Sequence, residues 1–498
     1  MGQARKRVIL HEREKQPKIH GRRVASARMG QEIAHSQFSE EDFAGFRRRL
    51  EAETRLLGEW LREGRFPRRD YQSGFELEAW LVDAAMRPAP ANQRFLAQLN
   101  NPLVVPELAT FNIEFNATPV TLRGGAFDQA HAELGKTWRA ASEVARRLDL
   151  RLAMIGILPN VAPGDLCIDN MSLMERYRAL NEQVLRLREG RPLEIDIRGP
   201  EPLRMSHEDV MLEAATTSFQ VHLKVPAEQA GRYFNAAKIV SAPLVAVCAN
   251  SPFLFGHRLW DESRIPLFEQ SVCVGGSDET LRVTFGRRYV RESIFECFEA
   301  NLRRYPVLLP MRLDEPPEAL AHLRLHNGTI WRWNRPLIGF DSDGAPHVRI
   351  EHRVIPSGPT RVDSIANAAL FTGLTHALAQ DSLPPEKLLP FSQARDNFYQ
   401  AARLGLDATI VWLDGKPKAV DELLRKQLLP LAADGLMELG IDAPWRWLDP
   451  IAGRLDTGQN GAAWQRRWVE RHGSDWAALT AAYLDNQDSD NPVYRWTL

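Results

Sequence analysis

Four segments in which apolar and polar residues alternate with period two commit this chain to a sheet with one dry face and one charged face. They run from Phe75 to Val82, Asn112 to Asn116, Phe219 to Val225 and Val348 to Val354, and in each the successive side chains point to opposite sides of a strand. Phe75, Leu77 and Ala79 share one face, which leaves Glu76 and Glu78 together on the other. The same alternation pairs Glu114 with Asn116, Gln220 with His222 and Lys224, and Arg349 with Glu351 and Arg353.

A strand with charges on one side usually shows the solvated face of an antiparallel sheet. The residue types argue for more here. Three of the strands carry Glu and one carries His, while Lys-rich or Thr-rich decoration is nearly absent. Carboxylates crowded on one face repel one another unless cations sit among them. Mg2+ or Mn2+, which favour carboxylate oxygens and accept an imidazole less readily, would meet that need.

Between the strands lie helical patterns over Phe127 to Leu148 and Gln229 to Cys248, and an Ala-rich run from Val362 to Gln380 that Asp363 is placed to cap. Order is expected to begin near Ser39, where Ser-Glu-Glu-Asp resembles a capping box and Phe43, Phe46, Leu50, Leu57 and Leu61 recur at helical spacing up to about Gly64 and Pro67. The mixture predicts an α+β fold, a largely antiparallel sheet with flanking helices. After about Pro390 the pattern turns helical, with Trp412, Trp445, Trp447, Trp464, Trp468, Trp476 and Trp496 supplying bulk. The chain therefore divides into a disordered basic arm over residues 1–28, a catalytic region over 29–390 and a helical region over 391–498 packed on it. The arm holds nine Lys or Arg against Glu12 and Glu14, and a true start at Met29 would explain it as well.

With 498 residues, 44% of them hydrophobic, the chain can bury a large core. Its 63 basic and 64 acidic residues nearly cancel, so no global field recruits nucleic acid or an anionic membrane, and small solutes are the expected partners. No apolar run approaches the roughly 20 residues that span a bilayer. Cys167, Cys248, Cys273 and Cys297 form no CxxC pair, which fits a reducing, cytoplasmic setting.

Glu76-Leu77-Glu78, the pair Glu107 and Glu114, His222, the segment Ala249-Asn250-Ser251-Pro252-Phe253 and Glu351-His352-Arg353 occur in the order seen in the glutamate–cysteine ligase superfamily. The chain resembles that family from about residue 70 to about residue 410, and the family is similar to glutamine synthetase in fold. The resemblance implies an ATP-dependent enzyme that joins a carboxylate, possibly glutamate, to an amine or amino acid. It implies that Glu76, Glu107 and Glu114 bind the metal nearer the carboxylate substrate. Glu78, His222 and Glu351 would hold the metal on the ATP phosphates, and Arg353 would steady the transferring phosphoryl group.

Glu107 sits in a Pro106-Glu107-Leu108-Ala109-Thr110 stretch that reads as a loop, and His222 also fits a satisfied core histidine. The chain has no GxxxxGK[ST] loop and no GxGxxG turn after a strand, so metals and arginines must hold the phosphates. Arg264, Arg332 and Arg335 are candidate phosphate or carboxylate clamps, because a guanidinium pairs bidentately with both; they equally fit ordinary salt bridges or stacking on Trp. On the residues alone, a metal-dependent hydrolase and a non-catalytic binding protein on the same fold stay open as alternatives.

Overall fold

The computed structural model describes residues 38–275 and 281–498. The expected basic arm and the alternative start at Met29 lie outside the described residues. The strands run in chain order as β1 (Gln72–Val82), β2 (Val104–Pro106), β3 (Asn112–Asn116), β4 (Val120–Thr121), β5 (Arg151–Ala153), β6 (Leu193–Ile197), β7 (Leu203–His207), β8 (Phe219–Val225), β9 (Phe253–Leu254), β10 (His257–Arg258), β11 (Asn334–Phe340) and β12 (Pro346–His352). Eight of them form one sheet in the order β11-β12-β8-β1-β3-β2, with β4 and β5 also paired to β1. All its pairings are antiparallel.

Two of the four expected strands, β3 and β8, coincide with their sequence boundaries, and β1 starts earlier, at Gln72. The fourth, β12, begins at Pro346 and ends at His352. Arg353 therefore lies just past the strand, where its N–H donates to the Trp333 carbonyl at 2.9 Å. Alternation had no purchase on β11, which holds Pro336 in a buried run. A proline removes a ladder donor and is tolerated here because β11 is an edge strand. Its carbonyl is taken by Asn327 Nδ2 at 2.9 Å.

The sheet's dry face is covered by the helices Ala230–Cys248 and Arg361–Gln380, which are buried nearly all round, as their apolar sequences require. Local chemistry sets where helices start. Ser39 and Asp42 form a reciprocal capping box for helix Glu40–Arg62. Thr360, rather than Asp363, caps Arg361–Gln380: Thr360 Oγ1 accepts from the Asp363 N–H at 3.1 Å and donates to its carboxylate at 2.8 Å. That carboxylate also pairs with the buried Arg454 at 2.8 Å, tying the helix start to the C-terminal residues. Among the described residues no helix is long and apolar enough to cross a membrane.

Residues 391–498 are mostly helical, apart from a short hairpin of Thr409–Val411 with Pro417–Ala419, and they share the main hydrophobic core. Helix Leu429–Glu438 crosses Arg361–Gln380 at two glycines. A Cβ on Gly435 would lie 2.2 Å from the Gly373 carbonyl oxygen, and one on Gly373 would lie 2.3 Å from that of Ala432. In a helix with free space, Gly→Ala gains about 0.5–1 kcal/mol. Gly45→Ala, where only a distant Arg48 tip is met, is expected to raise urea stability by that amount, whereas Gly435→Ala is expected to lose about 1–3 kcal/mol through overpacking. Equal effects at the two sites in urea denaturation would show that the helix crossing is loose.

Candidate active site

The register of the sheet brings the charged side chains into line. Glu76 lies opposite Gln220 and Asn116, Glu78 lies opposite Glu114, and Asn112 lies opposite Trp80. On the next pair, His222 faces Glu351 and Lys224 faces Arg349. Residues that face each other across strands share a side of the sheet, so one face carries Glu76, Glu78, Glu114, His222 and Glu351 together.

These groups divide into two neighbourhoods of opposite electrostatics. In the first, His222 Nε2 lies 3.4 Å from Glu76 Oε1 and 4.0 Å from Glu351 Oε1. One ligand atom from each of the three lies within 4.8 Å of the other two, which is a metal-sized cage. Glu351 is also gripped by Arg335, whose Nε and Nη2 donate to its two oxygens at 2.5 and 3.1 Å. Burial alone would raise both carboxyls. His222 outweighs burial at Glu76, and Arg335, Arg353 and His222 together hold Glu351 down at about 2. The His222 ring is buried and neither nitrogen has a hydrogen-bond partner of good geometry, so the ring is uncommitted. Two carboxylates and an uncommitted imidazole fit a divalent ion such as Mg2+ or Mn2+.

In the second neighbourhood carboxyls crowd one another, and Arg353, the cation acting on Glu78, does not outweigh burial. Burial, and then Glu107, push Glu78 up to about 7. Burial with Glu76, Glu107 and Glu78 pushes Glu114 well above the usual range. Glu78 is satisfied by the Ser218 N–H at 2.6 Å, Ser218 Oγ at 2.9 Å and Gln220 Nε2 at 2.9 Å. Glu114 accepts from Asn116 Nδ2 at 2.9 Å. Glu107 lies beyond the end of β2, on the expected loop, and its carboxylate accepts from the Leu108 N–H at 2.9 Å.

The tight group in the structure thus joins Glu76 to His222 and Glu351, whereas the sequence reading set Glu76 with Glu107 and Glu114, and Glu78 with His222 and Glu351. The period-two argument finds the face but not which neighbours converge, because that depends on register between strands far apart in sequence.

Arg353 points back over the face from the end of β12. Its Nη1 donates to Gln220 Oε1 and lies 3.6 Å from Glu351 Oε2, while its Nε is buried without a partner. Arg264 is spent on protein: it pairs with Glu262 at 3.1 Å and donates to the carbonyls of Arg353 and Val354. It fixes the backbone that presents Arg353 and also lines the cleft beside Glu78. Arg335 serves Glu351 and the carbonyls of Asn327 and Gly328. Arg332 donates to Tyr305 Oη at 3.0 Å. Arg335 is thus occupied within the protein, while the Nε of Arg332 is buried without a partner.

Sequence reasoning missed Asn112, Ser218 and Glu213 at this site. Asn112 has the same parity as Glu114 on β3, so the alternation already carried the signal. Glu213 lies in the 3-10 helix Val210–Ala215, too short for any periodicity to mark. Burial, and then Glu107, push its carboxyl up to about 8.

A carboxylate-lined antiparallel sheet with a convergent Glu–His–Glu cage and an arginine at the strand end has the fold of the ATP-dependent carboxylate–amine ligases. The family profile described as glutamate-cysteine ligase family 2 (GCS2) matches residues 72–481. The chain belongs to that family. The solved glutamate–cysteine ligase from Francisella tularensis, in complex with AMP, is similar in fold, with a TM-score of 0.51 at 11% identity over 87% of this chain and 90% of that one. A bifunctional glutathione synthetase from Pasteurella multocida gives a TM-score of 0.48 at 11% identity over 84% of this chain and 53% of that one. No curated protein matches the chain in sequence.

Two outcomes follow from the electrostatics. Arg335→Met strips the two closest donors from the buried Glu351 and leaves it the more distant Arg353 and His222, which is expected to cost about 3–5 kcal/mol in urea denaturation, and adding Glu351→Leu should recover most of that loss. Glu78 has a folded pKa above its unfolded one, so the folded protein keeps a proton that the unfolded chain releases, and this contribution to stability is lost as pH rises from about 4.5 to about 7. In chelator, Glu78→Gln, which cannot ionise, should therefore gain on the wild type across that window, by up to roughly 3 kcal/mol. A pH-independent difference in calorimetric stability would contradict the assignment.

Proposed function

We propose that this chain is an ATP-dependent ligase that forms an amide, with glutamate as the carboxylate donor, through an acyl phosphate, releasing ADP and phosphate. The observation that carries this reading is the convergence of Glu76, His222 and Glu351 beside Arg353 on one buried face. Those three would hold one divalent ion, Mg2+ or Mn2+, and Glu78, Glu107 and Glu114 are the candidate ligands of a second. A bound divalent ion would supply the positive charge that lets ATP phosphates approach a face lined by carboxylates.

The remaining chemistry belongs to the chain's own residues. A carboxylate resists amine attack because its charge repels the nucleophile and oxide is a poor leaving group. Attack of the donor carboxylate on the γ-phosphate of ATP removes both obstacles: a C–O–P bridge forms, and ADP leaves. Arg353 is held by Gln220 on its side chain and by Trp333 and Arg264 on its backbone. Its guanidinium is therefore oriented before charge develops on the transferring group, and preorganised donors of this kind are worth on the order of 3 kcal/mol. An uncharged amine then adds to the acyl carbon, inorganic phosphate departs with the bridging oxygen, and the proton shed by the nitrogen leaves with that phosphate or to solvent.

That oxygen is the test. A donor labelled with heavy oxygen in its carboxylate should pass one labelled atom into phosphate for each amide formed, and Glu351→Gln should abolish the transfer rather than divert it. Phosphate without label, made at equal rates with and without an amine, would sink the ligase reading and favour a hydrolase, in which water provides the oxygen.

A further inference from the structure

The segment Ala249-Asn250-Ser251-Pro252-Phe253, which the sequence singles out, takes no part in the Glu–His–Glu cage. Asn250 is nonetheless fully buried, and its side chain is engaged at both ends. Its Nδ2 donates to the Ser357 carbonyl and to Tyr483 Oη, each at 2.8 Å, and its Oδ1 accepts from Gln465 Nε2 at 3.0 Å. Its backbone N–H donates to Glu262 Oε2 at 2.9 Å. Tyr483 in turn donates its own proton to the Met154 carbonyl at 2.7 Å, which leaves its hydroxyl oxygen as the acceptor that Asn250 needs.

Asn250 has two routes into the site. The first runs through Glu262, whose other oxygen accepts from Arg264 Nε at 3.1 Å, and Arg264 donates to the carbonyls of Arg353 and Val354. The second runs through Ser357, whose carbonyl accepts from Asn250 while its Oγ donates to the Glu78 carbonyl at 2.5 Å. One amide therefore connects the backbone under Arg353 to the backbone under Glu78. Its remaining partners come from far along the chain: Gln465 stands on helix Gly461–His472 and Tyr483 on helix Trp476–Asp488. The first of these helices could come no closer, because a Cβ on Gly461 would lie 2.0 Å from Asn250 Oδ1. Asn250, Glu262, Ser357 and Gln465 are all 0% exposed. An apolar core of the same shape would be at least as stable as a buried polar cluster of this kind, so stability alone does not account for it.

We propose that Asn250 is a positioning residue for phosphoryl transfer, setting the distance between Arg353 and the Glu78 strand, and that the C-terminal helices hold it in place through Gln465 and Tyr483. This rests on the ligase reading. Phosphoryl transfer depends almost wholly on where charge is placed, and a misplacement of about 1 Å costs on the order of a hundredfold in rate. A small shift along either route moves Arg353 relative to Glu78 without removing any group that touches ATP or donor. Turnover then falls while affinity stays. The C-terminal helices thereby act on the reaction itself, in addition to closing the core.

The experiment separates positioning from packing. With MgATP, L-glutamate and whichever of ammonia, methylamine and L-cysteine the wild type couples fastest, kcat and each KM are measured for wild type, Tyr483→Phe, Ser357→Ala and Leu484→Ala. Tyr483→Phe removes only the hydroxyl that accepts from Asn250, and Ser357→Ala only the one that donates to the Glu78 carbonyl. Leu484→Ala opens a cavity at a fully buried position on the same helix as Tyr483. In the first two variants kcat should fall about tenfold with every KM within about twofold of wild type, whereas Leu484→Ala should keep the wild-type kcat despite a larger loss of melting temperature. The melting shift produced by MgATP reports that each variant is folded around an intact nucleotide site. Unchanged kcat in Tyr483→Phe and Ser357→Ala, or an equal fall in Leu484→Ala, would overturn the positioning role while leaving the ligase reading standing. A raised KM at unchanged kcat would overturn it too, and so would loss of the MgATP shift in both hydroxyl variants, by showing that the cluster serves binding or folding instead. Absence of amide from the wild type with all three amines would overturn the ligase reading itself, and the positioning role with it.

Discussion

Burying several carboxylates side by side on one face of a sheet is the constraint to which the rest of this structure answers. Each one loses hydration and meets its neighbours at close range, and the protein resolves this in two ways. Around Glu351 it supplies cations: Arg335 grips both oxygens, with Arg353 and His222 behind. Around Glu78 and Glu114 burial and the neighbouring carboxylates outweigh what cations are near, and the groups are driven to hold protons instead. The division follows from which strands neighbour which. β11 places Arg335 directly on Glu351, while β3 itself contributes only carboxylate and amide beside Glu78.

The supporting architecture serves that arrangement. Arg353 projects from just beyond a strand end, where regular ladder bonds have stopped. Its N–H is fixed by Trp333 and its carbonyl by Arg264, itself buried and paired with Glu262. On the dry side, two helices buried almost all round press against the strands, and the C-terminal helices lock onto one of them through the Gly373–Gly435 contact. The packing that stabilises the molecule thus also limits how far the charged face can relax when its occupants change.

Much of this was legible in the chain because period two is a strong signal wherever one face is dry. Glu76, Glu78, Glu114, His222 and Glu351 were all assigned to one side of a sheet from parity alone, and the structure puts them there. Asn112 obeys the same parity and was passed over because it stands at a strand's first position and bears no charge. β11 was hidden by Pro336, and Glu213 by a helix too short to have a period. The grouping of ligands was not legible at all. Strands separated by more than a hundred residues meet in a register set by the whole sheet, so which carboxylate meets His222 is a tertiary fact.

The two ends of the sheet have a bearing on how this chain can associate. At one end β2 is three residues long and closes on Pro106; at the other, β11 carries Pro336 and surrenders that residue's outward carbonyl to Asn327. A terminal strand normally offers a row of free donors and acceptors that a strand from another molecule can copy. Here one rim is too short to template a partner, and the other has lost a donor and an acceptor at the same residue. The sheet is therefore poorly suited to being extended by a neighbour, and contact between copies would have to be made through side chains, whose pattern can be tuned without touching the strands that carry the reaction.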